Sequence, residues 1–273
     1  MRELIRSQDP VRRCALPIMR RHEKPVSQAV LCIHGFGGYP GELALPARYL
    51  YEAGFDVPVP RLPGHGTSQK DFDRTDRFDW VGAACDGLAD ALKRYEQVHL
   101  LGHSMGGAIV CLLAATFPVG RTVLLSPALE FSSRWFNVVG LLSLIRPKIK
   151  VDWQPDENIT FFDDRDADDD EFLGREYWST LNVRKIAQLK NITKQARTAL
   201  SKVTTDMLVF TGGKDPTVPR SAGELVSRLS QGRVVCEHMQ DGGHLLPYDP
   251  DEQTRTRVME LTVQFLVDTV QGG

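Results

Sequence analysis

The sequence has no long apolar run, no closely spaced pair of cysteines and no marked excess of one charge. Each absence removes a class of function. A bilayer-spanning helix needs about 20 consecutive apolar residues, and no apolar run in this chain approaches that length. At the N-terminus Arg2, Glu3, Arg6, Asp9, Arg12 and Arg13 interrupt every apolar stretch before the core of a signal peptide could form. The expectation is a soluble, cytoplasmic protein. With 33 basic and 35 acidic residues the formal net charge is -2, too small for a global field that would attract nucleic acid or an anionic membrane. Selection of a partner has to be local.

Metal chemistry is equally short of signals. Cys14, Cys32, Cys85, Cys111 and Cys236 are odd in number, widely spaced and free of C-x-x-C pairs, which favours free buried thiols. The seven histidines are not expected to form a metal site. The acidic run Phe161 to Phe172 fails the EF-hand template: counted from Asp164, the sixth position is Asp169 where glycine is needed, and the twelfth is Arg175 where glutamate is needed. It reads as a solvated loop or helix start, and neither a metal nor a cofactor is expected.

What is present is a rhythm of short apolar runs and helical patterns. Ala29 to Ile33, Val98 to Leu101, Thr122 to Leu125 and Met207 to Thr211 are nearly all apolar, as strands buried on both faces of a parallel sheet must be. Phe55 to Pro60 reads as a further extended segment. Helical spacing appears over Leu43 to Ala53, Trp80 to Tyr95 and Met105 to Thr116, closed by Gly54 in the first case and Pro118 in the last. The alternation predicts an α/β fold, a mostly parallel central sheet with helices on both faces. Between Leu125 and Met207 the alternation stops for about 80 residues, far longer than an ordinary connection. The domain organisation expected is a first core part over residues 1–126, a cap or lid insertion over 127–203 and a second core part over 204–273. Phe131 to Val151 carries enough apolar side chains for a lid helix whose underside faces an apolar substrate.

Chemistry concentrates at the strand ends. Gly102-His103-Ser104-Met105-Gly106 is a G-x-S-x-G placed after an apolar strand and before a helix, the context this motif requires. Small neighbours let the turn tighten, so that the Ser104 hydroxyl stands above the sheet at a helix N-terminus. A serine hydroxyl needs a base, and the base needs a carboxylate to hold its tautomer. His244, after Asp241-Gly242-Gly243, is the candidate base. Asp215, directly after the Met207 to Thr211 strand, is the candidate acid, because functional groups of such sheets gather at the carboxyl ends of strands. Among rival acids, Asp206 precedes its strand, while Asp241 and Asp249 suit bracing of the His244 loop. His103 is expected to point away from Ser104, and His34 and His65 to make structural hydrogen bonds. Two backbone N–H groups should receive a developing oxyanion: Met105, and Phe36 in the loop His34-Gly35-Phe36-Gly37-Gly38.

These pieces resemble the α/β-hydrolase superfamily, and within it bacterial carboxylesterases and monoacylglycerol lipases. The resemblance is carried by HGFGG at His34 to Gly38, LPGHGTS at Leu62 to Ser68, GHSMGG at Gly102 to Gly107, GGKDPTVP at Gly212 to Pro219 and DGGH at Asp241 to His244, in that order. It implies an α/β-hydrolase fold with a cap inserted after the sixth strand, and a carboxylic ester hydrolase acting through an acyl-enzyme with Ser104, His244 and Asp215. It also implies the Phe36 and Met105 oxyanion contacts and a small-molecule ester with an apolar acyl or alcohol part as substrate. Two other readings stand beside it. One is a different reaction on the same residues, cleaving carbon-carbon bonds, catalysing elimination or using peracids, for which a basic cap residue such as Arg134 or Arg146 would favour an anionic substrate. The other is a ligand-binding module without turnover.

Overall fold

The computed structural model describes residues 9–155 and 167–267. Arg2, Glu3 and Arg6, and Asp163, Asp164 and Asp166 of the acidic run, lie outside the described residues. The chain opens with β1 (Ile18–Arg20), β2 (Gln28–Ile33), α1 (Ala44–Glu52) and β3 (Val57–Val59). It continues through α2 (Gln69–Arg74), α3 (Arg77–Leu92), β4 (Gln97–His103), α4 (Met105–Ala114) and β5 (Thr122–Leu125). An intervening segment holds α5 (Val139–Ile145), β6 (Lys148–Lys150), α6 (Ala167–Trp178), β7 (Thr180–Asn182) and α7 (Val183–Ala199). β8 (Met207–Gly212), α8 (Ser221–Leu229), β9 (Val234–Met239) and α9 (Glu252–Val267) follow.

The central sheet runs β2-β4-β5-β8-β9, and every pair in it is parallel. Its register aligns Cys32, Leu101, Val123, Leu208 and Val235 across the five strands. A strand alternates its side chains between two faces, and here both faces are covered. Val30, Cys32, Leu101, Val123, Leu125, Leu208 and Phe210 share one apolar cluster with Leu45 and Leu50 of α1 and Val258 and Leu266 of α9. Leu31, Ile33, Leu100, Leu124 and Val209 share the other with Trp80 and Leu88 of α3 and Ile109 and Val110 of α4. This is why the strands read as unbroken apolar runs. On the β2 side, β3 pairs antiparallel with β1 and bridges Ala29 through Asp56, whose carbonyl accepts the Val30 N–H at 2.9 Å.

Local signals set the element ends. α3 starts three residues before Trp80 because Asp76 accepts the N–H groups of Phe78 and Asp79 while the Asp79 carboxylate accepts the Asp76 N–H, a reciprocal capping box. The cysteines are all free, but only Cys14, Cys32 and Cys111 are buried. Cys85 is half-buried and Cys236 exposed, because β9 is the edge strand and presents an outward row.

The insertion leaves the sheet at the carboxyl end of β5. In the numbering used here that strand is the fifth, one fewer than the count implied by the resemblance, because the described residues form one strand fewer before it. Inside 127–203 helices and a short strand pair meet. α7 buries Val183, Ile186, Ile192 and Ala196 in the cluster that holds α3 and α4, packed chiefly against α4. α5 and α6 add Val139, Leu173 and Tyr177 to the same cluster, and β6 pairs antiparallel with β7. Asp73, at the end of α2, ties the pair down: its carboxylate accepts Lys148 Nζ and, at 2.6 Å, Asn182 Nδ2. Lys185 Nζ donates to the carbonyls of Asp73, at 3.0 Å, and of Thr75. Burial lowers the Lys185 pKa, and the carboxylates of Asp73, Asp76 and Asp79 oppose that shift.

Backbone packs directly against Gly106, the second residue after Ser104. A Cβ on Gly106 would stand 2.0 Å from the Ile33 carbonyl oxygen, whereas one on Gly82 in α3 would meet nothing within 4 Å. Gly106→Ala is therefore expected to destabilise the protein by more than about 3 kcal/mol, because only backbone could yield. Gly82→Ala is expected to stabilise it by about 0.5–1 kcal/mol through helix propensity. Thermal melts of the two variants beside the parent check both directions.

Candidate active site

Ser104 joins β4 to α4 with φ 51° and ψ -115°, a left-handed conformation that costs a non-glycine residue about 1–3 kcal/mol. Hydrogen bonds hold it there. Its N–H donates to the Leu125 carbonyl at 2.9 Å, and its carbonyl accepts the N–H groups of Ala128 at 2.9 Å and Ala108 at 3.2 Å. The result lifts the side chain out of the sheet at the first turn of α4, where N–H groups have no partner within the helix.

The Ser104 hydroxyl donates to His244 Nε2 at 3.0 Å, and His244 Nδ1–H donates to Asp215 Oδ2 at 2.7 Å. The carboxylate fixes the tautomer, since Nδ1 must carry the proton and Nε2 is left as acceptor. Asp215 Oδ1 accepts the N–H groups of Thr217 at 2.7 Å and Val218 at 2.9 Å, and the side chain is fully buried. Burial pushes the Asp215 pKa up, but the hydrogen bond and charge of His244 and the two backbone donors outweigh it, so the group lies below the ordinary 3.8.

The rival acids lie elsewhere. Asp206, at the opposite end of β8, pairs with Arg233 at 3.3 Å. Asp241 pairs with Lys214 at 2.8 Å, and Asp249 accepts the Gly243 N–H at 2.6 Å, bracing the turn that carries His244. His34 and His65 are structural. The Leu62 N–H donates to His34 Nε2 at 3.0 Å, which joins the LPGHG and HGFGG loops, and His65 lies against Phe72, Trp80 and Tyr177. Burial takes the His34 pKa down to about 4, so its ring is neutral at ordinary pH.

Phe36 lies in a turn closed by Gly38 N–H to the Gly35 carbonyl at 3.3 Å, and Met105 is the first residue of α4. The turn passes close to the serine: a Cβ on Gly35 would stand 3.3 Å from Ser104 Cβ. One contributor has no motif to announce it. Glu42 Oε2 accepts the Gly35 N–H at 3.2 Å and lies 3.4 Å from His103 Nδ1, while His103 Nε2–H donates to the His244 carbonyl at 3.1 Å. His103 thus links the Phe36 turn to the His244 turn.

Ser104 and His244 open into a cavity of about 800 Å³, within the range of small-molecule sites. Its walls are mainly apolar: Phe36, Phe131, Phe136 and Leu189 with Trp135, Trp153 and Trp178. Glu42, Asp170 and Glu171 also line it, and burial raises the Asp170 pKa to about 6. Arg146 is exposed and away from this wall, and the Arg134 side chain is outside the described residues.

A family model described as the alpha/beta hydrolase family matches residues 30–256. The chain belongs to that family. The match takes in β4, β5, β8 and β9, most of β2, and the three residues joined by hydrogen bonds above. Among relatives of this alpha/beta hydrolase is a thermostable monoacylglycerol lipase of Bacillus sp. (strain H-257), 25% identical over 238 residues that cover 86% of this chain and 89% of the lipase. A carboxylesterase of Bacillus subtilis (strain 168) is 31% identical over 134 residues, 48% of this chain and 54% of the esterase. A solved structure of a metagenome-derived lipolytic enzyme superposes with a TM-score of 0.80 at 21% identity, covering 95% of this chain and 100% of its own. At that identity the likeness speaks for the fold, the α/β-hydrolase fold. The relatives support ester hydrolysis at the level of the family.

A carboxyl whose folded pKa is depressed adds stability that is present above its ordinary value and is lost as the pH falls through the depressed one. Wild-type protein should therefore lose thermal stability between about pH 5 and pH 3 more steeply than Asp215→Asn, which carries no such group. Melting temperatures of both proteins across that range test the sign, and parallel curves would contradict it.

Proposed function

We propose that this alpha/beta hydrolase cleaves carboxylic esters with an apolar acyl or alcohol part, with Ser104 as nucleophile, His244 as base and Asp215 as the group that orients the base. The observation that carries the reading is the unbroken hydrogen-bond chain from Ser104 through His244 to Asp215, ending in a mainly apolar cavity. The relative named as a monoacylglycerol lipase supports the same substrate class.

In the first step Ser104 Oγ attacks the ester carbonyl while His244 Nε2 takes its proton. Negative charge then develops on the carbonyl oxygen, between the N–H groups assigned to Phe36 and Met105, at the positive end of α4. Collapse expels the alcohol, which takes the proton from His244, and leaves an acyl group on Ser104. Water, deprotonated by His244, then releases the acid. Asp215 stays ionised throughout, matched by its depressed pKa. Glu42, Asp170 and Glu171 on the wall disfavour an anionic substrate, so a neutral ester fits better than a carboxylate.

Ser104→Ala is expected to lower turnover of p-nitrophenyl acyl esters by about 10⁴-fold or more while leaving the circular dichroism spectrum and melting temperature intact. Full activity in that variant would remove the assignment. A series of p-nitrophenyl esters from acetate to palmitate is expected to peak at a medium or long chain, as an 800 Å³ apolar cavity requires; no turnover at any length would remove the esterase reading.

Glu42 and His103 are assigned a positioning role, holding the Phe36 turn and the His244 turn in register. His103→Ala should reduce kcat by about 10-fold or more with KM within about 2-fold, because misplaced groups cost transition-state rather than ground-state binding. A rise in KM at unchanged kcat would instead assign the pair to substrate binding.

A further inference from the structure

We propose that the LPGHGTS loop, through Tyr177 and with Arg12, seats α6 and so sets the length of apolar chain that the cavity accepts, which makes Tyr177 a positioning residue for substrate selection. That the chain belongs to an ester rests on the esterase reading; the seating does not. None of the described residues lining the cavity comes from Leu62 to Ser68, yet the shape of this loop is exacting. Gly64 and Gly66 are left-handed, with φ 76° and 72°, and a Cβ on Gly66 would stand 2.1 Å from Ala15 Cβ. This close approach brings the N-terminal segment onto the loop, where the Arg12 N–H donates to the Gly66 carbonyl at 3.1 Å.

Loop and segment together grip α6. The buried Tyr177 hydroxyl accepts the Thr67 N–H at 3.0 Å and donates to the Gly64 carbonyl at 2.8 Å. Glu176 Oε2 accepts the N–H of Gln69, the first residue of α2, at 2.9 Å. Asp169 Oδ2 accepts the Arg13 N–H at 2.9 Å, and the Arg12 guanidinium lies 3.6 Å over the Phe172 ring. Asp169, Phe172 and Glu176 recur at helical spacing on the gripped face, while Asp170, Gly174 and Trp178 recur on the face that lines the cavity. One helix is thus fastened on one side and serves as wall on the other. The wall has no slack: a Cβ on Gly174 would stand 2.2 Å from the Trp153 ring, and one on Gly37 2.9 Å from the Trp178 ring. A shift of α6 therefore displaces two wall tryptophans together. Removing the Tyr177 hydroxyl takes that partner from both the Thr67 N–H and the Gly64 carbonyl, so the fastening weakens while the apolar ring stays.

The experiment compares a short and a long chain in the full-length protein and its Tyr177→Phe and Arg12→Gln variants. For p-nitrophenyl octanoate, Tyr177→Phe should raise KM about 5-fold with kcat within about 2-fold, because a loosened wall loses binding along the chain and leaves the reacting groups in place. For p-nitrophenyl acetate, whose acyl group is too short to reach along the wall, kcat/KM should stay within about 2-fold. Arg12→Gln, a change at a half-exposed side chain, should shift the octanoate KM in the same direction by about 2-fold. A second arm needs no turnover. Three of the four tryptophans line the cavity, so their fluorescence reports decanol binding to Ser104→Ala, and adding Tyr177→Phe should weaken that binding about 5-fold. Unchanged decanol affinity, or an equal rise in KM for both esters, overturns the proposal. So does an equal fall in kcat for both, since the loop would then act through the Leu62 N–H and His34 on the Phe36 turn. Absence of turnover of either ester by wild type would remove the esterase reading, and the decanol titration would still decide whether Tyr177 sets the reach of the cavity.

Discussion

Everything at the site depends on the strained turn at Ser104. A residue held at φ 51° between a strand and a helix stays there only if its surroundings over-determine it. They do so through backbone: the Ser104 N–H is committed to Leu125 on the neighbouring strand, and its carbonyl to Ala108 and Ala128. The helix that follows then passes so close to β2 that Gly106 touches the Ile33 carbonyl. Any side chain there would push α4 off the sheet and move its first turn, on which Ser104 stands. The glycines of the motif are thus a steric condition on the position of the hydroxyl.

The same constraint explains which parts of the molecule were legible in the sequence. The central strands announce themselves because a parallel strand buried on both faces has to be apolar throughout, as Ala29 to Ile33 and Thr122 to Leu125 are. Ser104, His244 and Asp215 were legible as candidates because each lies in a turn at a strand end, and the structure brings the three within hydrogen-bond distance. β9 escaped notice because an edge strand carrying Cys236, Glu237 and His238 has no apolar run to reveal it. The partnership of α7 with α4 was not legible, since its apolar stripe is separated from α4 by a long stretch of chain and only their packing shows that the two share one core cluster. Glu42 had no signal at all. Its partner His103 was expected to point away from Ser104, which leaves open what it touches, and the link to the His244 carbonyl exists only in three dimensions.

Charge gives the clearest case of composition concealing a local property. Near-balanced totals exclude a strong long-range field, and at physiological salt interactions between exposed charges fade over about 8–10 Å in any case. What a surface feels on contact is therefore the charge within that distance. From Phe131 to Val151 the sequence is basic without an acidic residue, but Asp73 lies against Lys148, and Glu42, Asp170 and Glu171 stand on the cavity wall. The insertion thus supplies a mainly apolar wall to the cavity and is fastened to the core by the polar contacts of Asp73 and Lys185. A net charge near zero is compatible with local patches of either sign because screening makes each patch act alone.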